Sequence, residues 1–330
     1  MIGQITQPYN TGLGNMGWGF ASHLPMKSLL VEVKPDMTSF PERFSNSRRT
    51  KRVTQEDIDW LLDGIDTLFA METPYDWSIF EQAKKRGIKT VFMPMFEWLD
   101  RSRPELRFID LFIAPSPSTY RALPFANKVQ VPTEVPVDTS KFKQKKVDRL
   151  RTLLHNSGHG GQFNRNSTPE LIEAMDYVKS GVGLILNSQF QQAAEGRENI
   201  SYTYGNFENY WEMYTQGDVY ILPAKYGVAY LGIGEAMAAG MPVMFTDMEP
   251  FNEYLPHDLL IKPKKMESIA LVGSQRELYA VHDPKEIAHK IDEVASMDLS
   301  YFSARSQEMA YEWSWENQIK TYEKIFDPKH

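Results

Sequence analysis

The sequence predicts an α/β chain of two tandem halves, each a parallel sheet flanked by helices. Three observations lead there. Short apolar runs rich in β-formers alternate with helical stretches from the first residues onward, which is the pattern of strands joined by crossover helices. The length, 330 residues, is enough for about two domains. Around 131–146 the alternation breaks, because VPTEVPVDTSKFKQKK carries two prolines and then a basic tract with little to bury, and beyond it the alternation restarts.

In the first half, strands are expected at 2–6, 29–33, 67–71, 90–95 and 111–114. Residues 55–62 and 77–85 carry apolar side chains at three- and four-residue spacing, as amphipathic helices do, and Thr54 is a good N-cap for the first of them. In the second half the expected order is strand 152–155, helix 169–179, strand 183–186, helix 207–214, strand 219–222, helix 232–239 and strand 242–246. The expected organisation is a Rossmann-like domain over 1–140, a linker over 141–150, a second Rossmann-like domain over 151–305, and a C-terminal helix within 306–330 that packs back toward the first domain. Two such domains are expected to face each other across a deep cleft.

Composition narrows the function. With 42% hydrophobic and 24% charged residues the chain is ordinary for a globular protein, which excludes disorder and coiled coil. Thirty-six basic against 43 acidic residues leave a net charge of −7, so a contact with nucleic acid would have to be a local patch. The absence of cysteine removes a disulfide framework, a thiolate nucleophile and Cys-ligated zinc. No apolar run approaches the 18 or so residues of a membrane span, and no signal core follows the N-terminus, so a soluble cytoplasmic chain without stable membrane insertion is expected.

Two stretches first draw attention as chemistry. Gly12-Leu13-Gly14-Asn15-Met16-Gly17 is a literal GxGxxG after the first strand, with Glu32 ending the second. A dinucleotide would use that pattern for its pyrophosphate and ribose, but residues 7–11 separate strand from glycine where the fingerprint turns at once. The reading that fits better is a glycine-rich loop with Gly12 and Gly14 close to a substrate. His155-Asn156-Ser157-Gly158-His159-Gly160-Gly161 leads to Arg165 just before a helix. Glycines that admit a close approach and a fixed positive charge suit a phosphate. The alternative is a long solvated loop with two incidental histidines, and zinc at His155 and His159 lacks a third ligand.

The third stretch, GEAMAAGMPVMFTD at 234–247, resembles the donor-site helix and following strand of family 4 glycosyltransferases. The likeness spreads along the chain: PVDTSKF at 136–142 resembles the family's linker, IDLFIAPS at 109–116 its last N-terminal strand, STPELIEAM at 167–175 its LIEA helix, and WSWE at 313–316 the start of its closing helix. The resemblance implies a GT-B fold and retaining transfer from a nucleotide-sugar donor, a UDP-sugar on family frequency, without a required cofactor or metal. It implies that Glu235 holds the donor ribose, that Arg165 neutralises the diphosphate, and that Leu231 and Gly232 offer backbone N–H groups. Gly227 departs from the pattern, since the family's sugar-contacting Glu stands there. The family's second basic residue is also missing, leaving His159 or the amides of Gly160 and Gly161 to substitute.

Glu72 and Glu97 each follow a predicted strand and either orient the acceptor hydroxyl or serve locally, capping a helix or pairing with a lysine. Asp57-x-Asp59 reads as a solvated helix face and not as a metal site. The basic runs at Arg43 and Arg48–Arg52, and at Lys141–Arg151, are solvated loops or, at a cleft mouth, a track for a phosphate backbone. Trp18, Tyr75, Trp77, Phe96 and Trp98 either stack on a sugar or base or belong to the core. Acceptor candidates are therefore a hydroxymethylated pyrimidine in phage DNA, held through Arg48, Arg49, Lys51 and Arg52, a saccharide, or a protein hydroxyl. The rival readings are an NAD-dependent oxidoreductase using the Gly12–Gly17 loop and an inactive sugar-nucleotide or nucleic-acid binding module.

Overall fold

The computed structural model describes residues 1–133, 135–158, 164–189, 197–271 and 276–329. The chain divides into two compact units, Met1–Pro136 with Trp315–His330, and Val137–Ser314.

The first unit runs β1 (Ile2–Thr6), α1 (Gly12–His23), β2 (Met26–Val31), β3 (Ser47–Thr50), α2 (Gln55–Leu62), β4 (Thr67–Met71), α3 (Ser78–Lys85), β5 (Lys89–Met93), β6 (Leu111–Ala114), α4 (Pro117–Ala122) and β7 (Lys128–Gln130). Its strands form one parallel sheet in the order β3-β2-β1-β4-β5-β6-β7. The central strands are buried on both faces, which is why they read as apolar runs and not as alternation. Gln4 and Thr6 are the polar exceptions in β1: Gln4 Nε2 donates to Gly17 O at 3.0 Å and Ser28 Oγ at 2.9 Å, and Thr6 Oγ1 donates to Leu13 O at 2.9 Å.

The second unit runs β8 (Thr152–Gly158), α5 (Thr168–Ala174), β9 (Gly183–Ser188), β10 (Ile200–Tyr204), β11 (Val219–Leu222), α6 (Leu231–Ala238), β12 (Val243–Thr246), β13 (Leu260–Ile261), β14 (Lys265–Ala270), β15 (Arg276–Val281), α7 (Pro284–Ala295) and α8 (Ser300–Glu312). Its parallel sheet has the order β10-β9-β8-β11-β12-β13, and β14 and β15 form a separate antiparallel pair. The chain then returns to the first unit as α9 (Trp315–Phe326). The segment 306–330 thus holds the end of α8 and all of α9, which starts inside the WSWE motif.

Three expectations are corrected. The basic stretch at 48–52, expected as a solvated loop, is in part the edge strand β3, whose backbone pairs with β2 whatever its side chains are. The helix expected at 207–214 is instead a 3-10 turn at Tyr210–Thr215. Asp57 is not a solvated helix residue: it is buried, closes a capping box with Thr54, and pairs with Arg48 at 2.8 Å. Burial opposes its charge, but the hydrogen bonds from Thr54 and the neighbouring Arg48 outweigh it and hold the carboxyl below its ordinary range.

The glycines of the GxGxxG run have separate packing roles. A β-carbon at Gly14 would overlap the carbonyl oxygen of Tyr9 and lie 3.0 Å from Gln7 O, and one at Gly17 would run into the Thr6 side chain, whereas Gly12 faces open space. Gly14→Ala should therefore cost about 1–3 kcal/mol by overpacking, while Gly12→Ala should stay within about 0.5 kcal/mol of wild type. Urea unfolding of the two variants checks this, and equal losses would contradict it.

Candidate functional site

In both sheets the strand order reverses beside the first strand of the unit, between β1 and β4 and between β8 and β11. At such a switch point the loops leaving neighbouring strands diverge, and open α/β sheets take ligands there, at the carboxyl ends of the strands. The loops in question are 7–11 and 72–77 in the first unit, and, among the described residues of the second, 164–167 and 223–230. All four non-glycine residues with positive φ among the described residues lie in these loops: Glu72 at 56°, Tyr75 at 60°, Asn164 at 51° and Ser167 at 50°. Left-handed backbone at non-glycine residues concentrates where function holds it.

In the first unit, Glu72 is half-buried at the end of β4, with its amide donating to Met93 O at 2.9 Å. Beside it, Gln7 Nε2 donates to Tyr75 Oη at 2.5 Å, and Thr11 Oγ1 donates to Gln7 Oε1 at 3.2 Å. Burial, with the charge of Glu72 adding to it, pushes the Tyr75 phenol well up despite the Gln7 hydrogen bond, and burial lowers the Lys34 ammonium against the pull of Glu72. Thr11 caps α1 by accepting from Gly14 N, so Gly12 opens the helix and is exposed. Glu97 is 1% exposed in the 3-10 turn after β5. A carboxylate this enclosed meets a ligand only if its turn opens, which leaves Glu72 as the accessible one of the pair. Glu32, the acid a dinucleotide would need, is bound by Arg49 at 2.9 Å.

The second unit holds the denser arrangement. Arg165 sits between the left-handed Asn164 and Ser167, and its carbonyl accepts from Lys225 N at 2.8 Å. Asn164 Nδ2 donates to Glu170 Oε2 at 3.0 Å, and Glu170 Oε1 pairs with the buried Lys225 Nζ at 2.6 Å. At the other end of the side chain, Nε donates to Tyr230 Oη at 2.7 Å and Tyr226 O at 3.2 Å, Nη2 donates to Ala229 O at 3.3 Å, and the guanidinium lies 4.4 Å above the Tyr230 ring. Tyr230 is the N-cap of α6, whose first turn, with Leu231 and Gly232 half-buried, contains no acidic residue. A β-carbon at Gly232 would collide with Tyr220 Oη and come within 3.3 Å of Tyr214 Oη. Glu235 follows on α6 and accepts from Tyr214 Oη at 2.5 Å. Complete burial first, then the charge of Glu235, raises both the Tyr214 and Tyr220 phenols, so both stay protonated and Tyr214 remains a donor.

Behind this surface, His155 is fully enclosed on β8. Its Nδ1 is 2.9 Å from Ile221 O, which can only accept, so Nδ1 carries the ring proton, and Nε2 lies 2.9 Å from Thr168 Oγ1. The ring therefore ties β8 to β11 and to the start of α5, and it is not a metal ligand. Among the described residues no group of three His, Asp or Glu is placed to hold a metal ion.

The structure thus brings Arg165, Leu231, Gly232 and Glu235 together in one unit, and Gly12, Gly14 and Glu72 to one sheet end in the other. His159, Gly160 and Gly161 lie outside the described residues. Of the basic run, Arg48 pairs with Glu56 and Asp57 and Arg49 with Glu32, while Lys51 and Arg52 are exposed. In the second run Lys145 is half-buried and caps carbonyls of Gln216 and Gly217, and burial lowers its ammonium to about 8. The aromatic candidates divide: Trp77 packs into the core against Phe80 and Phe92, whereas Trp18 lies 4.4 Å beneath the Arg43 guanidinium. Sequence reasoning missed the Glu170–Lys225 pair and the Tyr214–Glu235 bond. Their only sequence signal is a lysine two residues before Gly227.

No protein-family model matches the chain, and no curated protein sequence matches it. Solved structures do resemble it in fold. A glycosyltransferase from Rickettsia africae has a TM-score of 0.69 at 12% identity, covering 98% of this chain and 97% of that one. HepE from Anabaena in complex with UDP has a TM-score of 0.67 at 12% identity over 98% of each chain. Sucrose-phosphate synthase from Thermosynechococcus elongatus has a TM-score of 0.66 at 13% identity over 98% of each. The chain accordingly has the fold of these proteins, two Rossmann-like domains of the GT-B class.

The burial of His155 makes a pH prediction. Desolvation lowers the imidazole from its ordinary 6.5 to about 4, although the carbonyl of Ile221 pulls the other way. The unfolded chain takes up that proton near 6.5 and the folded chain resists it until about 4, so stability should fall across this window as the pH drops, by about 3 kcal/mol in full. Urea titrations at pH 7 and pH 5 measure the fall, and His155→Gln should flatten it; a mutant with the wild-type slope would locate the effect elsewhere.

Proposed function

We propose that this chain is a retaining glycosyltransferase that moves a sugar from a nucleoside diphosphate donor, a UDP-sugar, to an acceptor hydroxyl. The observation that carries the reading is the group around the start of α6, where a fixed guanidinium, a helix N-terminus without acidic residues and a carboxylate on the same helix meet at a Rossmann switch point. HepE, whose fold is similar, is described in complexes with UDP, with UDP and glucose, and with UDP-glucose.

The chemistry asks for such a group. As the anomeric carbon–oxygen bond of the donor breaks, its electron pair goes to the β-phosphate oxygen and positive charge grows on the sugar ring. The acceptor oxygen then bonds to the anomeric carbon on the face the diphosphate leaves, and its proton passes to the departing phosphate. In this reading Arg165 and the N–H groups of Leu231 and Gly232 stabilise the negative charge that grows in the transition state, without a metal. Glu235 accepts from the ribose hydroxyls; the bond from Tyr214 occupies one lone pair of a carboxylate that has about four. Glu72, at the ligand-facing end of β4, orients the acceptor hydroxyl.

A screen of nucleotide sugars for slow hydrolysis tests the donor class without needing the acceptor, and release of sugar from none of them would count against the reading. Glu235→Gln keeps an oxygen for Tyr214 but removes the charge, so calorimetry should show UDP binding weakened about tenfold. Arg165→Ala should lower turnover more than donor affinity, because the charge it meets grows on the way to the transition state. Wild-type UDP affinity in the first variant, or wild-type turnover in the second, would remove that residue from the site.

A further inference from the structure

Gly227 breaks the sequence pattern of the donor region, and the geometry around it gives the break a purpose. Its φ is 128°, a backbone conformation that L side chains rarely adopt. A β-carbon built there would lie 3.0 Å from Arg165 Cζ, 3.1 Å from Nε and closer still to Nη2. The guanidinium is not a loose end that moves aside. It donates to Tyr226 O, Ala229 O and Tyr230 Oη, and Tyr230 Oη in turn donates to Tyr226 O at 2.7 Å. These acceptors belong to the stretch that bends at Gly227, so the glycine conformation aims the carbonyls on either side of it at one cation. The main chain of Arg165 is tied to the same stretch through Lys225 N.

We propose that Gly227 is a positioning residue for Arg165: the absent side chain makes the berth in which the guanidinium lies at the entrance to α6. Any side chain at 227, even a methyl group, expels the cation from this berth. That the displaced charge matters for turnover rests on the glycosyltransferase reading above; the steric interlock does not.

Gly227→Ala, Arg165→Ala and the double variant of the full chain form a cycle that separates the two. Strain at φ 128° persists in both backgrounds, whereas the collision exists only while Arg165 is present. Gly227→Ala should therefore lower the unfolding midpoint more in the wild-type background than in Arg165→Ala, and equal shifts overturn the interlock. In donor hydrolysis Gly227→Ala should reduce kcat by roughly tenfold or more, with KM changed less, and should add nothing to Arg165→Ala. Losses that multiply overturn the positioning role. Tyr230→Phe serves if Gly227→Ala does not fold, since it removes the closest acceptor from Nε without adding an atom: kcat should fall in the wild-type background only, and an unchanged kcat overturns the proposal. A wild-type chain that hydrolyses no nucleotide sugar refutes the glycosyltransferase reading, while the unfolding cycle still decides the interlock.

Discussion

A parallel strand covered by helices on both faces has no surface along its length on which to bind anything. In both units this leaves chemistry to the ends of the strands, and the reversal of strand order at β1/β4 and β8/β11 decides which ends open. The distribution of backbone strain follows the same constraint. Glu72, Tyr75, Asn164 and Ser167 all lie where two loops part, and none lies in an α-helix or strand. The apolar sheets in effect supply the rigidity against which these loops are bent.

The loop that carries Arg165 shows how bending and holding balance. Two left-handed residues cost roughly 1–3 kcal/mol each. Against that stand the pair of Lys225 with Glu170, the Asn164 bond to the same carboxylate, and the backbone bond from Lys225 to Arg165. Removing one partner of an enclosed ion pair costs about 3–5 kcal/mol; Glu170 is partly open to solvent, so the lower figure applies. These contacts oppose the strain and hold the loop in its bent form. Glu235 is held on different terms. Tyr214 donates to it from within the core, so its oxygen atoms keep one orientation although the residue itself is half-buried.

The fold was legible where burial leaves a continuous mark. Residues 2–6, 67–71, 111–114 and 219–222 read as strands because both faces are apolar, and they are β1, β4, β6 and β11. β3 was not legible, since Ser47–Thr50 joins the sheet by backbone pairing at an edge and its side chains carry charge. α5 ends at Ala174, short of the 179 that its spacing predicts. In the site, resemblance picked out Arg165 and Glu235, but what holds them was invisible. Glu170 and Lys225 lie far apart in sequence, as do Tyr214 and Glu235, and neither pair has a spacing rule. Left-handed backbone at Glu72 and Tyr75 leaves no compositional trace, because nothing in those residue types asks for it. The three glycines at 12, 14 and 17 looked like one motif and are two packing devices and an open position.

The return of α9 to the first unit has a consequence for how the chain folds. Thr67 Oγ1 donates to Phe326 O, Lys89 Nζ donates to the carbonyls of Ile325 and Asp327, and Phe20 packs edge-on against Trp315, Tyr322 and Phe326. A ribosome makes all of Val137–Ser314 before these partners exist. Until then the nascent N-terminal sheet exposes the flank of β1 and β4 around Phe20 and Phe69, which are fully buried in the finished chain. The second unit, continuous in sequence, has no such wait. The order of completion is therefore set by connectivity, with the unit that begins first closing last.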